Sequence, residues 1–201
     1  MKRQIITLVA GLGLLARVQA AEPAAVDWTS LFNGHDLTGW TNLNNGKFTV
    51  TNGVIHLDAS SGWLCTTRAF TNFIFEAECR ALQTNYNSGL FIRSGREGKP
   101  FPPDAWQINL KHSALGALLH GRDSVVSNAL PAKPVGEWFT FRITVNGSSA
   151  SLDADGGQLW KFDRLDATDG HIGLQAEGKS FEFRKLRIHE ACSTPAKQGW
   201  K

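Results

Sequence analysis

The chain lacks the local patterns that announce the commoner catalytic sites. It has no HxH or HExxH pairing among its six histidines and no GxSxG elbow, which leaves a histidine-built metal site and an α/β-hydrolase nucleophile without support. It has no run of Lys and Arg. Once the first twenty residues are set apart, with Lys2, Arg3 and Arg17, its 21 basic and 18 acidic residues come into balance, so nothing supplies the counterion release on which nucleic-acid binding depends. Its one sustained apolar stretch, Ile5 to Ala16, is too short for a bilayer crossing, which takes about 20 residues. Cysteine is sparse: Cys65, Cys79 and Cys192 resemble no zinc site, and a Cys65–Cys79 bridge and a pair of small buried hydrophobes are both open.

What is present begins with a targeting pattern. A basic start, the apolar stretch and Val18-Gln19-Ala20 read as a signal peptide over residues 1–20, so the protein is expected to be periplasmic or secreted, with no membrane attachment after cleavage. Residues 21–190 then form one domain, and 191–201 a tail without periodicity.

Short alternating runs recur between turn signals: Phe48 to Val50, Val54 to Leu57, Phe73 to Arg80, Gly89 to Arg93, Trp106 to Lys111, Trp138 to Val145, Ala150 to Asp153, Gln158 to Phe162, His171 to Glu177 and Phe181 to His189. Asn52-Gly53 and Asp155-Gly156 are hairpin dipeptides. With no amphipathic helix after the signal, this is an all-β, jelly-roll sandwich of two antiparallel sheets. Gly95 to Pro103 and Asn128 to Gly136 read as long loops of the kind that border sites.

Alternation divides each run into two faces. Phe73, Phe75, Ala77 and Cys79 oppose Glu76, Glu78 and Arg80. Leu90 and Ile92 oppose Phe91 and Arg93, Ile108 and Leu110 oppose Gln107, Asn109 and Lys111, and Ile172 and Leu174 oppose His171, Gln175 and Glu177. The polar set is either the wet side of a sandwich or a sugar groove, since carboxylates and amides match hydroxyl groups and aromatic rings stack on a pyranose.

Several ordered segments carry a resemblance. Leu31-Phe32-Asn33-Gly34-His35-Asp36-Leu37-Thr38-Gly39-Trp40 resembles an LFNGKDLTGW signature; Gly62-Trp63-Leu64, Asn87-Ser88-Gly89-Leu90-Phe91-Ile92-Arg93, Gly173-Leu174-Gln175 and Phe183-Arg184-Lys185-Leu186-Arg187-Ile188 follow in order. The chain resembles the 3-keto-disaccharide hydrolases, also described as 3-keto-glucoside lyases and 3-keto-2-hydroxyglucal hydratases, over about residues 28–190.

The resemblance implies a concanavalin-like fold and a glycoside substrate already oxidised at carbon 3 by a partner sugar dehydrogenase. A ketone there acidifies the carbon-2 proton, so a base can remove it as the aglycone leaves carbon 1. On this reading Glu78 is the candidate base, with Arg93 and Gln107 as further catalytic groups. His56, Trp63, Lys111, His120, Gln175 and Glu177 complete the substrate pocket, and a divalent metal is a possible cofactor with no ligands assigned. Two positions depart from the family: Ala105 stands where members often have Glu, and Glu177 where many have His. A noncatalytic carbohydrate-binding module on the same scaffold is the alternative.

Overall fold

Period-two burial is the rule that organises this chain. In Phe73–Ala81 the side chains of Phe73, Phe75, Ala77 and Cys79 are almost wholly buried, and the intervening polar ones point away. The computed structural model describes residues 27–190; the signal-peptide boundary, the tail and Cys192 lie outside them. Among the described residues there are fifteen strands and no helix. They are β1 (Thr29–Ser30), β2 (Trp40–Leu43), β3 (Lys47–Thr51), β4 (Val54–Asp58), β5 (Ser61–Thr66), β6 (Phe73–Ala81), β7 (Gly89–Ser94) and β8 (Trp106–Asn109). There follow β9 (Leu118–His120), β10 (Asp123–Val126), β11 (Phe139–Asn146), β12 (Ser149–Ala154), β13 (Gly157–Phe162), β14 (His171–Glu177) and β15 (Phe181–Glu190).

The strands form two antiparallel sheets. A back sheet runs β13-β12-β11-β6-β15-β4-β3, with β1 added to β15, and a front sheet runs β10-β9-β8-β7-β14-β5-β2. The hairpin dipeptides act as expected: Asn52 and Gly53 lie at φ 52° and 75° between β3 and β4, and Asp155 and Gly156 at 52° and 84° between β12 and β13. Two successive positive φ values match the right-handed twist of the strands they join. The core between the sheets brings Phe75, Phe141, Phe181 and Phe183 of the back sheet against Leu64, Leu90, Ile108 and Leu174 of the front. Each such side chain contributes roughly 1.5–3 kcal/mol by leaving water.

All ten expected runs are strands, but β1, β2, β5, β9 and β10 were not expected. β5 and β7 are buried on both faces, so alternation of polarity disappears there. Both described cysteines are free: Cys79 faces the core and Cys65 packs on the other side of the front sheet, so the bridge left open by the sequence does not form.

Candidate functional site

Three adjacent central strands of the front sheet are rich in small and amide side chains on their outer surface. Cross-strand register sets Gln107 of β8 beside Phe91 of β7 and Leu119 of β9, Gly89 of β7 beside Asn109 of β8, and Phe91 and Leu90 of β7 beside Gly173 and Leu174 of β14. Gly89 makes room here: a Cβ would come within 2.2 Å of the Gln107 amide nitrogen, so its absence lets that amide lie across the strand. Gln107 Nε2 donates to Gln175 Oε1 at 3.0 Å. Gln107, Gln175 and Asn109 are 3%, 1% and 6% exposed, yet each amide keeps further donors and acceptors for a ligand.

These amides floor an open hollow of about 400 Å³, within the size range of small-molecule sites. Lys111 and Glu177 stand exposed at its rim, with Arg122, Ser113 and Asn87, and Phe101 walls one side. Among the described residues no salt bridge involves Lys111 or Glu177. Gln107, Lys111, Gln175 and Glu177 are therefore brought together from two segments, β8 with the residues after it and β14. Asn109 and Phe101 were not singled out by the sequence; strand parity gave a signal for the first, and for the second only its place in a Pro- and Gly-rich loop.

The other expected residues lie elsewhere. Glu78 is on β6, in the back sheet, on its outer surface. Arg184 Nε and Lys185 Nζ each donate to it at 2.6 Å. Burial pushes its carboxyl pKa up, but the hydrogen bonds and charges of Lys185 and Arg184 outweigh that and hold it below the ordinary value. A paired carboxylate on the far sheet cannot serve the hollow, so Glu78 is not its base. His56 is on the same back surface, 2.9 Å from Glu182.

Arg93 is also diverted. It lies at φ 44°, where the pairing of β7 with β14 shifts register, and its side chain leaves the outer face. Its guanidinium donates to the carbonyls of Thr71, Gly147 and Ala167 at 2.6–2.8 Å and to Asn72 Oδ1 at 3.2 Å. Only 4% exposed, it ties three loops together and presents nothing to a ligand. Burial lowers its pKa, with Asp169 opposing.

His120 is on the front sheet but on the opposite side of β9, stacked on Trp106 at 4.2 Å and 6°, with Nε2 4.0 Å from Asp166. It borders a neighbouring hollow of about 450 Å³ with Phe101 and Arg122. Trp63 is on the correct face yet wholly covered, packed with Cys65, Phe91 and Ala105 beneath Phe101 and Leu43. Ala105, the position of the family's Glu, is thus sealed in an apolar cluster, whereas Glu177, the position of its His, stands at the hollow.

A larger hollow, about 640 Å³, is on the back sheet near Trp138. Part of its charge is already matched: Glu76 is held by Arg142 and Arg187, and Lys133 by Asp155 at 2.7 Å, while Glu137 and Asp153 line it with no salt bridge among the described residues. As for the divalent ion, no three His, Cys, Asp or Glu side chains gather among the described residues to hold one, and the hollow offers amides with a single carboxylate. That donor set does not fit a dedicated metal site.

Known structures share the architecture. A candidate glycosyl hydrolase from Parabacteroides distasonis ATCC 8503 is 20% identical with a TM-score of 0.67, covering 82% of this chain and 94% of its own. The carbohydrate binding module CBM66 from Bacillus subtilis is 15% identical with a TM-score of 0.64, covering 76% and 96%. The κ-carrageenase of Pseudoalteromonas carrageenovora is 14% identical with a TM-score of 0.58, covering 84% and 97%. At these identities the likeness establishes a concanavalin-like jelly roll. No curated protein matches the sequence. The profile of the 3-keto-alpha-glucoside-1,2-lyase-like domain matches residues 27–189, nearly the whole described chain. The chain belongs to that family of carbohydrate-active domains.

Proposed function

We propose that the front-sheet hollow cleaves 3-keto-glucosides, with Glu177 as the base in place of Glu78. The observation that carries this reading is the buried Gln107–Gln175 amide pair beside one carboxylate and one ammonium that no salt bridge occupies. The amides orient the sugar hydroxyls. Glu177 takes the carbon-2 proton, and the electron pair moves into the carbon 2–carbon 3 bond as the carbon-3 oxygen becomes an enolate. Lys111 and the free N–H of the Gln107 amide stabilise that oxygen. The enolate collapses, the carbon 1–oxygen bond breaks, and the aglycone departs with a proton from solvent, leaving a 2-hydroxy-3-keto-glucal. Water added at carbon 1 then gives the 3-keto sugar, so the same site serves elimination and net hydrolysis.

A carbohydrate-binding module without catalysis is the second reading, favoured by Ala105 and Glu177 standing where family members carry Glu and His. In either case the protein acts outside the cytoplasm, and in the first it works after a sugar 3-dehydrogenase. Incubating the purified protein with a chemically prepared 3-keto-glucoside, with and without chelator, separates the two. Aglycone release with the glucal or the 3-keto sugar as product supports the enzyme. Saturable binding of glucosides without release supports the module.

A further inference from the structure

A covered compartment adjoins the hollow on the same face. Trp63, Cys65, Phe91 and Ala105 form a cluster separate from the core between the sheets, closed from outside by Phe101 and Leu43. Trp63 and Phe91 meet edge to face at 5.5 Å, and Phe101 lies 5.7 Å from Phe91. Gly173 leaves the space the indole uses, since a Cβ there would come within 2.5 Å of the Trp63 ring.

Among the described residues the Nε1–H of Trp63 has no hydrogen-bond partner, although the side chain is fully buried. A buried indole N–H ordinarily finds an acceptor, and leaving it unmatched costs about 1–3 kcal/mol. A phenyl ring would pack in this apolar setting without that penalty, so the donor makes sense when something other than protein occupies the compartment. The cover is one segment of chain. Phe101, partly exposed, borders both the 400 and the 450 Å³ hollows, and Asn44 Nδ2 anchors the segment next to it by donating to the carbonyls of Gly98 and Pro100 at 2.7 and 3.0 Å.

We infer that this compartment is a subsite for a planar, apolar aglycone bearing an acceptor atom, plugged by Phe101 until the ligand displaces that ring and pairs with Trp63 Nε1–H. The inference rests on the proposed 3-keto-glucoside reading for the sugar half of the ligand; the opening of the compartment does not. A ligand displaces the plug only through better interactions in the open form, and the orphan donor provides one.

The test uses the full chain carrying Cys192→Ser, with Cys65 as reporter. Cys65 lies in the compartment, and burial raises its thiol pKa to about 11, so labelling is slow while the plug is closed. Labelling by N-ethylmaleimide is located by mass spectrometry, which separates Cys65 from the core Cys79. Phe101→Ala is expected to speed Cys65 labelling at least tenfold. 4-Nitrophenyl β-glucoside, which lacks the ketone and cannot eliminate, should restore protection in that variant, and methyl β-glucoside should not.

Trp63→Phe provides an independent measurement should Phe101→Ala fold poorly. It should lower the kcat/KM preference for 4-nitrophenyl over methyl 3-keto-glucoside about tenfold. Equal labelling with and without Phe101, equal protection by the two glucosides, or an unchanged kcat/KM preference in Trp63→Phe would overturn the subsite. If labelling and protection follow the expected pattern but no 3-keto-glucoside turns over, the elimination reading falls and the subsite stands.

Discussion

The outer surfaces of the two sheets carry similar residue types and use them in opposite ways. On the back sheet three carboxylates of the central strands are held by cations: Glu76 between Arg142 and Arg187, Glu78 between Arg184 and Lys185, and Glu182 on Arg80 with His56 beside it. The guanidiniums lie over indoles, those of Arg184 and Arg80 4.0 and 4.5 Å from the Trp138 ring and that of Arg187 4.5 Å from Trp28. On the front sheet the Gln107 and Gln175 amides pair with each other, while among the described residues no salt bridge reaches Lys111 or Glu177. A surface whose charges answer each other is finished without a ligand. One with a buried amide floor and unpaired rim charges is completed by a polar molecule.

The sharpest way to break this comparison is to neutralise one carboxylate on each face. Glu177→Gln should lower kcat/KM toward 3-keto-glucosides by about 100- to 10,000-fold, the usual contribution of a general base. Glu78→Gln should stay within threefold of the parent. Steady-state kinetics on both variants decides it, and the reverse pattern would return the base to the back sheet. Lys111→Met should fall between them, losing about tenfold or more in kcat with little change in KM, as expected of a group that stabilises charge only in the transition state.

Arg93 separates architecture from chemistry. Arg93→Met leaves the carbonyls of Thr71, Gly147 and Ala167 without their charged donor, and each unsatisfied buried acceptor costs about 1–3 kcal/mol before water enters. A net loss near 3 kcal/mol is expected in denaturant unfolding. Folded protein at low temperature should keep its KM, because the guanidinium meets no ligand. A raised KM with unchanged stability would place Arg93 in the site after all.

Much of this arrangement is legible in the sequence. Along each strand, parity assigns Gln107, Asn109, Lys111, Gln175 and Glu177 to one face and Ile108 and Leu174 to the other, as the structure has them. What parity does not carry is which sheet a strand joins. Glu78 looks like a neighbour of Gln107 because both oppose an apolar set, yet β6 pairs with β11 and β15 while β8 pairs with β7 and β9. Pairing is a long-range choice, and nothing local to Phe73–Ala81 encodes it. Arg93 departs because a positive φ breaks alternation. β5 escapes notice because the segment bearing Phe101 buries its second face and with it the polar signal.

The smallest effect expected concerns acid stability, and it reads the back sheet alone. Glu78 has a lower pKa folded than unfolded, since Lys185 and Arg184 prevail over burial. Its pairing therefore stabilises the fold fully above the unfolded carboxyl pKa, near 4.5, and that contribution fades as pH falls through the lower folded value. Glu78→Gln should remove part of the acid-side decline in Tm and lower stability modestly at neutral pH, because Glu78 shares an exposed, solvent-screened network. Thermal melts from pH 3 to 7 on the parent and on Glu78→Gln check this. If the acid-side decline in Tm is as steep in Glu78→Gln as in the parent, Arg184 and Lys185 do not hold the Glu78 carboxylate in solution, and the contrast between the two faces narrows to one of degree.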